Sequence, residues 1–238
     1  MIDLACEFGD DVTEPPAIDF RTRTGQLRRA RTRARILCAA FGLIDEKGVG
    51  RVTVDDVREA AGLSRGSFYN YFLTYEDMLK EMASEIAKQV NQEQSARFGG
   101  VSDQAERIWC NLQYAILRIA SDRPCAEIFV RVMPLVGALN DHMRDHAERS
   151  VAQAVADGAI DVPSTGVALD LGYGLAATMA RRSLEAKLDP KELGAAGLML
   201  MRAFGVAEAQ AIRIAGRAFP DLPSMPLREA IVAAPELA

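Results

Sequence analysis

Seven arginines fall between Arg21 and Arg35 with no acidic residue among them, and fixed positive charge at this density is suited to attracting phosphates. Beyond them lies Ser64-Arg65-Gly66-Ser67-Phe68-Tyr69-Asn70-Tyr71-Phe72. At 100° per residue Phe68 and Phe72 share one helix face, and Gly66, Ser67 and Asn70 lie roughly opposite. One face anchors; the other is small and polar, as entry into a DNA major groove requires, and asparagine suits a bidentate contact with adenine N6 and N7. Tyr69 and Tyr71 flank that face, where a phenol reaches phosphate or, as in any helical core, packs half-buried. A second constellation is His142 and His146, which at i and i+4 put both rings on one helix face, a spacing compatible with metal binding. The stretch His-Met-Arg-Asp-His lacks the glutamate that a zinc-protease helix places after its first histidine, and boundary histidines meeting solvent or backbone are the simpler reading. A helical metal-binding protein or enzyme using His142 and His146 is the rival reading, and it leaves the arginines unexplained. With two histidines, one tryptophan and four cysteines lacking CxxC or metal-ligand spacing, neither catalysis nor a cofactor is expected.

The elements that would position these residues read as helices nearly throughout. Ile36, Leu37, Ala40, Phe41 and Ile44 recur at helical spacing and predict a first helix over 27–46, led by arginines and stopped by Gly48 and Gly50. Thr53 and Asp56 form a capping box for a short helix over 54–61, which Gly62 closes. Ser64 caps a third helix over 65–72, and Thr74 with Asp77 opens a fourth to about residue 94. Two short helices joined by a three-residue glycine-containing turn are a helix-turn-helix signature.

The chain of 238 residues, 49% hydrophobic and 26% charged, is composed like a globular protein. Its apolar stretch from Leu171 to Ala180 falls well short of the ~20 residues that cross a bilayer. The N-terminus is acidic where a secretory signal is basic and then apolar, so a cytoplasmic location with reduced thiols is expected. The net charge of −5 hides an asymmetry: residues 1–20 carry −6, residues 21–80 carry +5, and the remainder −4. This predicts an acidic solvated tail over 1–23, a nucleic-acid-facing head over 24–73, a body over 74–219 and a proline-containing irregular tail over 220–238.

The stretches Arg33 to Phe41, Val52 to Phe72 and Glu76-Asp-Met-Leu resemble the DNA-binding domain of the tetracycline-repressor (TetR) family. The resemblance covers about a quarter of the chain. It implies an all-α homodimer with an N-terminal helix-turn-helix, a palindromic operator, a C-terminal domain for dimerisation and a small-molecule ligand, and no enzyme activity. Carried over position by position, Thr53 would touch the DNA backbone at the start of the second helix, Arg65, Ser67 and Asn70 would reach base edges, and Tyr69 and Tyr71 would take phosphates; Ser64 and Gly66, on the same short helix, are counted with them as candidate DNA contacts. Tyr75 stands where the family usually has lysine and is carried as a candidate contact. Arg28, Arg29, Arg31 and Arg33 would add sequence-independent attraction. The function implied is a repressor released by a small, hydrophobic ligand; an activator without ligand is the variant that sequence does not separate.

Beyond residue 80 the periodicity predicts helices starting at Ser102 or Asp103, at Asp122-Pro124, after Pro134 up to Asp157, and over 166–186, 191–205 and 207–217. Trp109, Tyr114, Arg118, Phe129, Met133, Leu139, His142, Met143, His146 and Tyr173 are the candidate ligand pocket, an assignment that a plain core would fit equally well. Arg118 and Arg131 are the candidates for pairing with a carboxylate ligand. Small residues such as Gly172, Ala176, Ala196 and Gly197 among large ones permit close helix approach, within the chain's own core or, as the resemblance implies for the last two long helices, against a second copy; Leu171, Leu175, Met179, Leu193, Gly197, Leu200, Met201 and Phe204 are the candidate dimer interface.

Overall fold

The computed structural model describes residues 20–133 and 141–233, with side chains over 24–133 and 147–233. Every regular element among the described residues is helical: α1 (Phe20–Lys47), α2 (Val54–Ala60), α3 (Arg65–Tyr69), α4 (Tyr75–Phe98), α5 (Gln104–Ala120), α6 (Arg123–Val132), α7 (Asp141–Ala156), α8 (Thr165–Glu185), α9 (Pro190–Ala203), α10 (Glu208–Ala215) and α11 (Leu227–Ala233). Of the tail expected over residues 1–23, residues 20–23 belong to α1 and the rest lie outside the described residues, as do Pro134, Leu139 and the side chains of His142, Met143 and His146.

Helix α1 begins seven residues before the apolar periodicity does, because arginine is a good helix former and continues the helix back through the charged run. It ends where Gly48 adopts φ +79°, a left-handed conformation that costs glycine little. Both halves of the capping box are made at α2: Thr53 Oγ1 accepts from the Asp56 N–H, and Asp56 accepts from the Thr53 N–H. Gly62, at φ +64°, turns the chain towards α3, whose N-cap Ser64 accepts from the Ser67 N–H. Helix α3 stops at Tyr69, three residues short of the expected end, because the N–H of Tyr71 turns back to Phe68 O and Thr74 already caps α4.

Ile36, Leu37, Ala40, Phe41 and Ile44 of α1 bury against Val57, Phe68, Phe72 and the α4 residues Met78, Leu79 and Met82. A fully buried side chain of this kind contributes about 1.5–3 kcal/mol, so the two short helices, marginal alone, are held by α1 and α4. The same core continues along α4 into the body, where α5 packs on α4 and α8, α6 on α4 and α8, α7 on α8, and α9 on α5 and α10.

Two tertiary contacts override local signals. Asp122 stands at the start of α6 with Pro124 behind it, yet makes no capping bond. Its carboxylate accepts instead from the N–H of Arg228, 3.0 Å, and from the Arg228 guanidinium, 3.1 Å. The segment expected to be irregular contains α11, whose Leu227 and Ile231 are buried against α4 and α1. Prolines mark where a helix cannot continue; they do not tell whether the residues after the last of them find a groove.

Candidate nucleic-acid interface and ligand cavity

Phe68 and Phe72 are buried, while Arg65, Gly66, Tyr69 and Asn70 are exposed and Ser67 is partly so. The face expected to anchor therefore does, and the small polar face points away from the core. A methyl group built on Gly66 meets nothing within 4 Å, so the folded chain itself places no demand for glycine there. Ser64 and Ser67 hydroxyls lie 2.8 Å apart at the exposed start of α3. Arg28, Arg29 and Arg31 are exposed along α1. Arg29 also braces the end of α3: its guanidinium donates to Asn70 O at 3.3 Å and lies 5.5 Å from the centre of the half-buried Tyr71 ring.

Three of the expected contacts are committed elsewhere. Arg33 is turned inward and pairs with Glu81 and with Glu85, the latter at 3.1 Å, tying α1 to α4. Tyr75 donates its hydroxyl to Val49 O at 3.0 Å, and burial, with Glu76 beside it, pushes its pKa up to about 12. A phosphate only accepts hydrogen bonds, so a phenol whose single proton is already given away offers it nothing. Thr53 is exposed, but its hydroxyl donates to Asp56 at 2.6 Å, and that bond, with Lys47 and the Thr53 N–H, holds the Asp56 carboxyl well below the usual range.

Val49 also donates its N–H to Glu127 of α6 at 2.8 Å. The loop between α1 and α2 is thus held from α4 by Tyr75 and from α6 by Glu127, while Arg131 of α6 pairs with Glu76. The α1–α2 loop that leads into α2 is tied to the body by a few polar contacts, none of which sequence periodicity could reveal.

The body encloses a cavity of about 560 Å³ between α4, α5, α6, α7, α8 and α9, within the usual range for small-molecule sites. Of the residues expected to line it, Phe129 and Tyr173 do. Trp109, Tyr114, Arg118 and Met133 do not, and each has a structural task or a buried position of its own. Tyr114 donates to Glu93 at 2.6 Å and sets its ring 5.8 Å from that of Phe98. Arg118, 1% exposed, holds Glu93 through Nε at 2.9 Å and donates to Met225 O at 3.0 Å. Trp109 is fully buried against α9, and Met133 is buried at the end of α6. The residues missed are those of intermediate polarity on α4 and α5, among them Asn91, Gln94, Arg107 and Asn111; hydrophobic spacing selects core residues and passes over them.

The expected dimer face is corrected in the same way. Met179, Leu193, Gly197, Leu200, Met201 and Phe204 all point into the protein's own core, with Leu200 and Phe204 on the cavity wall. Gly197 is small because Trp109 passes over it: a methyl there would sit 2.4–2.7 Å from three indole carbons. Leu175 is half-buried and Leu171 exposed. The uncovered apolar residues lie on the other sides of α8 and α9: Val167 (57% exposed), Leu171 (49%) and Met199 (69%).

Residues 36–82 match the family model of bacterial regulatory proteins, tetR family. The HTH-type transcriptional repressor KstR2 of Rhodococcus jostii (strain RHA1) is 35% identical over 71 residues, 30% of this chain and 32% of that protein; the match spans about a third of the relative's length. Among solved structures, RolR in complex with resorcinol superposes with a TM-score of 0.69 at 24% identity, covering 83% of this chain and 99% of that one. A gamma-butyrolactone receptor (ArpA-like protein) superposes with a TM-score of 0.52 at 21% identity over 84% and 98% of the two chains. At such identities the likeness is one of fold.

Proposed function

We propose, for a chain whose N-terminal domain is that of the tetR family of bacterial transcription regulators, that it acts as a dimeric repressor of a palindromic operator and is released by a small ligand held in the body. The observation that carries the reading is the exposed α3 face of Arg65, Gly66, Ser67 and Asn70 set against buried Phe68 and Phe72. Gly66, unconstrained by the fold, allows close approach to a groove floor; Arg28, Arg29 and Arg31 supply attraction that does not depend on sequence.

Dimerisation is supported by the uncovered Val167 and Leu171, one turn apart on α8, and Met199 on α9, since apolar surface left uncovered marks an interaction site. Two recognition helices related by a two-fold axis would meet half-sites about 34 Å apart. Sedimentation is expected to give a dimer that Leu171→Glu or Met199→Glu converts to a folded monomer. The ligand part is supported by the apolar cavity and by its contact with α6, the helix that carries Glu127 to the α1–α2 loop. RolR, the structure with a TM-score of 0.69, holds resorcinol, a small amphipathic molecule of the kind that such a cavity admits.

The experiment is selection of bound duplexes from a random pool at near-physiological salt. Enrichment of a palindrome is expected, and its loss on adding ligand would follow from release. Binding without sequence preference would remove the operator from the proposal; no binding at all would remove the function.

A further inference from the structure

The cavity walls change chemistry from one end to the other. The charged residues that line it are Arg107 and Arg149, and no carboxylate is among the described residues of the wall. Arg107 and Asn111 stand one turn apart on one face of α5. Gln94 of α4 donates to Asn111 O at 2.6 Å, which sets the polar part of α4, including Ser95, against the same end. Further along these two antiparallel helices the lining turns apolar: Val90 on α4, Ala115 and Ile119 on α5, and Phe129 on α6.

The acids nearest to Arg107 in sequence do not neutralise it. Asp103 and Glu106 are both engaged by Arg213, and Glu106 also by Arg217. Arg107 makes one long hydrogen bond, 3.4 Å, to Val101 O. Asn111 adds a second point: its side-chain oxygen is buried without a hydrogen-bond partner, and rotation of the amide exchanges oxygen for N–H. Arg149 lines the cavity from α7 and is exposed, so its guanidinium stands at the rim.

We propose that the cavity takes an organic carboxylate, with its anionic head between Arg107, Arg149 and the Asn111 amide and its aliphatic or aromatic body along Val90, Ala115, Ile119 and Phe129. The inference rests on the regulator reading above and narrows it to a chemical class. Two guanidinium groups at the edge of a poorly polarisable cavity gain from a carboxylate what a neutral molecule cannot return, because charge-assisted pairs strengthen as water is excluded. Arg118 and Arg131, the arginines that the sequence offered for this task, are held by Glu93 and Glu76.

Binding is read by isothermal titration calorimetry, which needs no reporter side chain at the cavity. The full chain is titrated with 4-phenylbutanoate and dodecanoate and with their primary amides. The acids are expected to bind about tenfold tighter than the amides, and that preference is expected to shrink to about threefold or less in Arg107→Gln. Arg149→Gln, at an exposed position that puts folding at little risk, is expected to reduce the preference in the same direction. Equal affinity for acid and amide overturns the proposal, as does an acid preference unchanged in both variants or failure of either acid to bind. If the amides release the chain from a selected operator and the acids do not, the regulator reading stands while the carboxylate falls. If no DNA is selected, the regulator reading falls, and the acid-to-amide ratio still decides the cavity's chemistry.

Discussion

Replacing Gly197 by alanine tests the packing on which the cavity wall depends. The added methyl would lie 2.4, 2.6 and 2.7 Å from three indole carbons of Trp109, which is fully buried. Overpacking a core costs about 1–3 kcal/mol, and overlap with three ring atoms puts this site near 3. Alanine in a helix interior regains about 1 kcal/mol over glycine, so the net loss is about 2 kcal/mol. For a chain of this size that lowers Tm by about 4–8 °C. The matched control is Gly42→Ala in α1, where the new methyl meets nothing within 4 Å; it keeps only the helix term and is expected to raise Tm by about 2–4 °C. Thermal unfolding followed by circular dichroism, with Trp109 emission in parallel, reads both. If Gly197→Ala melts with or above the wild type, Trp109 is not wedged against α9. A loss that disappears with rising protein concentration would instead return Gly197 to a subunit interface.

Other outcomes follow from single contacts. Asn70→Ala is expected to lose about 1–3 kcal/mol of preference at one operator position, and Arg31→Ala to weaken all DNA alike and lower the salt slope by about one; equal loss of specificity in both would refute the assignment of faces. Burial alone would raise the Glu93 pKa, but hydrogen bonds from Arg118, Tyr114 and Gln89 hold it below its ordinary value. Its contribution is therefore complete above the unfolded pKa, about 4.3, and is lost as pH falls through that value towards the lower folded one. The stability gap between wild type and Glu93→Gln should close as pH drops from about 5 to 3, and a gap independent of pH would refute it. Arg228→Ala leaves the fully buried Asp122 carboxylate without its guanidinium and frees Asp45 of α1; a loss of about 3–5 kcal/mol is expected in urea unfolding, and a loss below 1 kcal/mol would show that α11 does not need this clasp.

Much of the head was legible because its determinants are local. The Thr53–Asp56 capping box, the Ser64 cap, the left-handed turn at Gly62 and the opposition of Phe68 to Asn70 all act within a few residues, and each stands where the spacing put it. The periodicity likewise located most of the helices to within a few residues of their ends. What it could not assign was the partner of each helix face. The small residues of α9 resemble a seam for a second copy, but Gly197 serves an indole of its own chain, 88 positions earlier in sequence. Arg33, Arg118 and Arg131 resemble residues waiting for phosphate or ligand, yet each has found a carboxylate on a distant turn.

The amino-acid sequence by itself determined that this chain is helical, that its basic segment precedes a helix-turn-helix, and which face of α3 is free, because caps, turns and 3.6-residue periodicity are encoded within one or two turns. Only the tertiary structure decided which arginines stay available, where the cavity runs, how α11 closes over Asp122 and which sides of α8 and α9 remain uncovered. These depend on contacts between residues tens of positions apart, and at that range an ion pair, a cavity wall and a subunit interface draw on the same residue types.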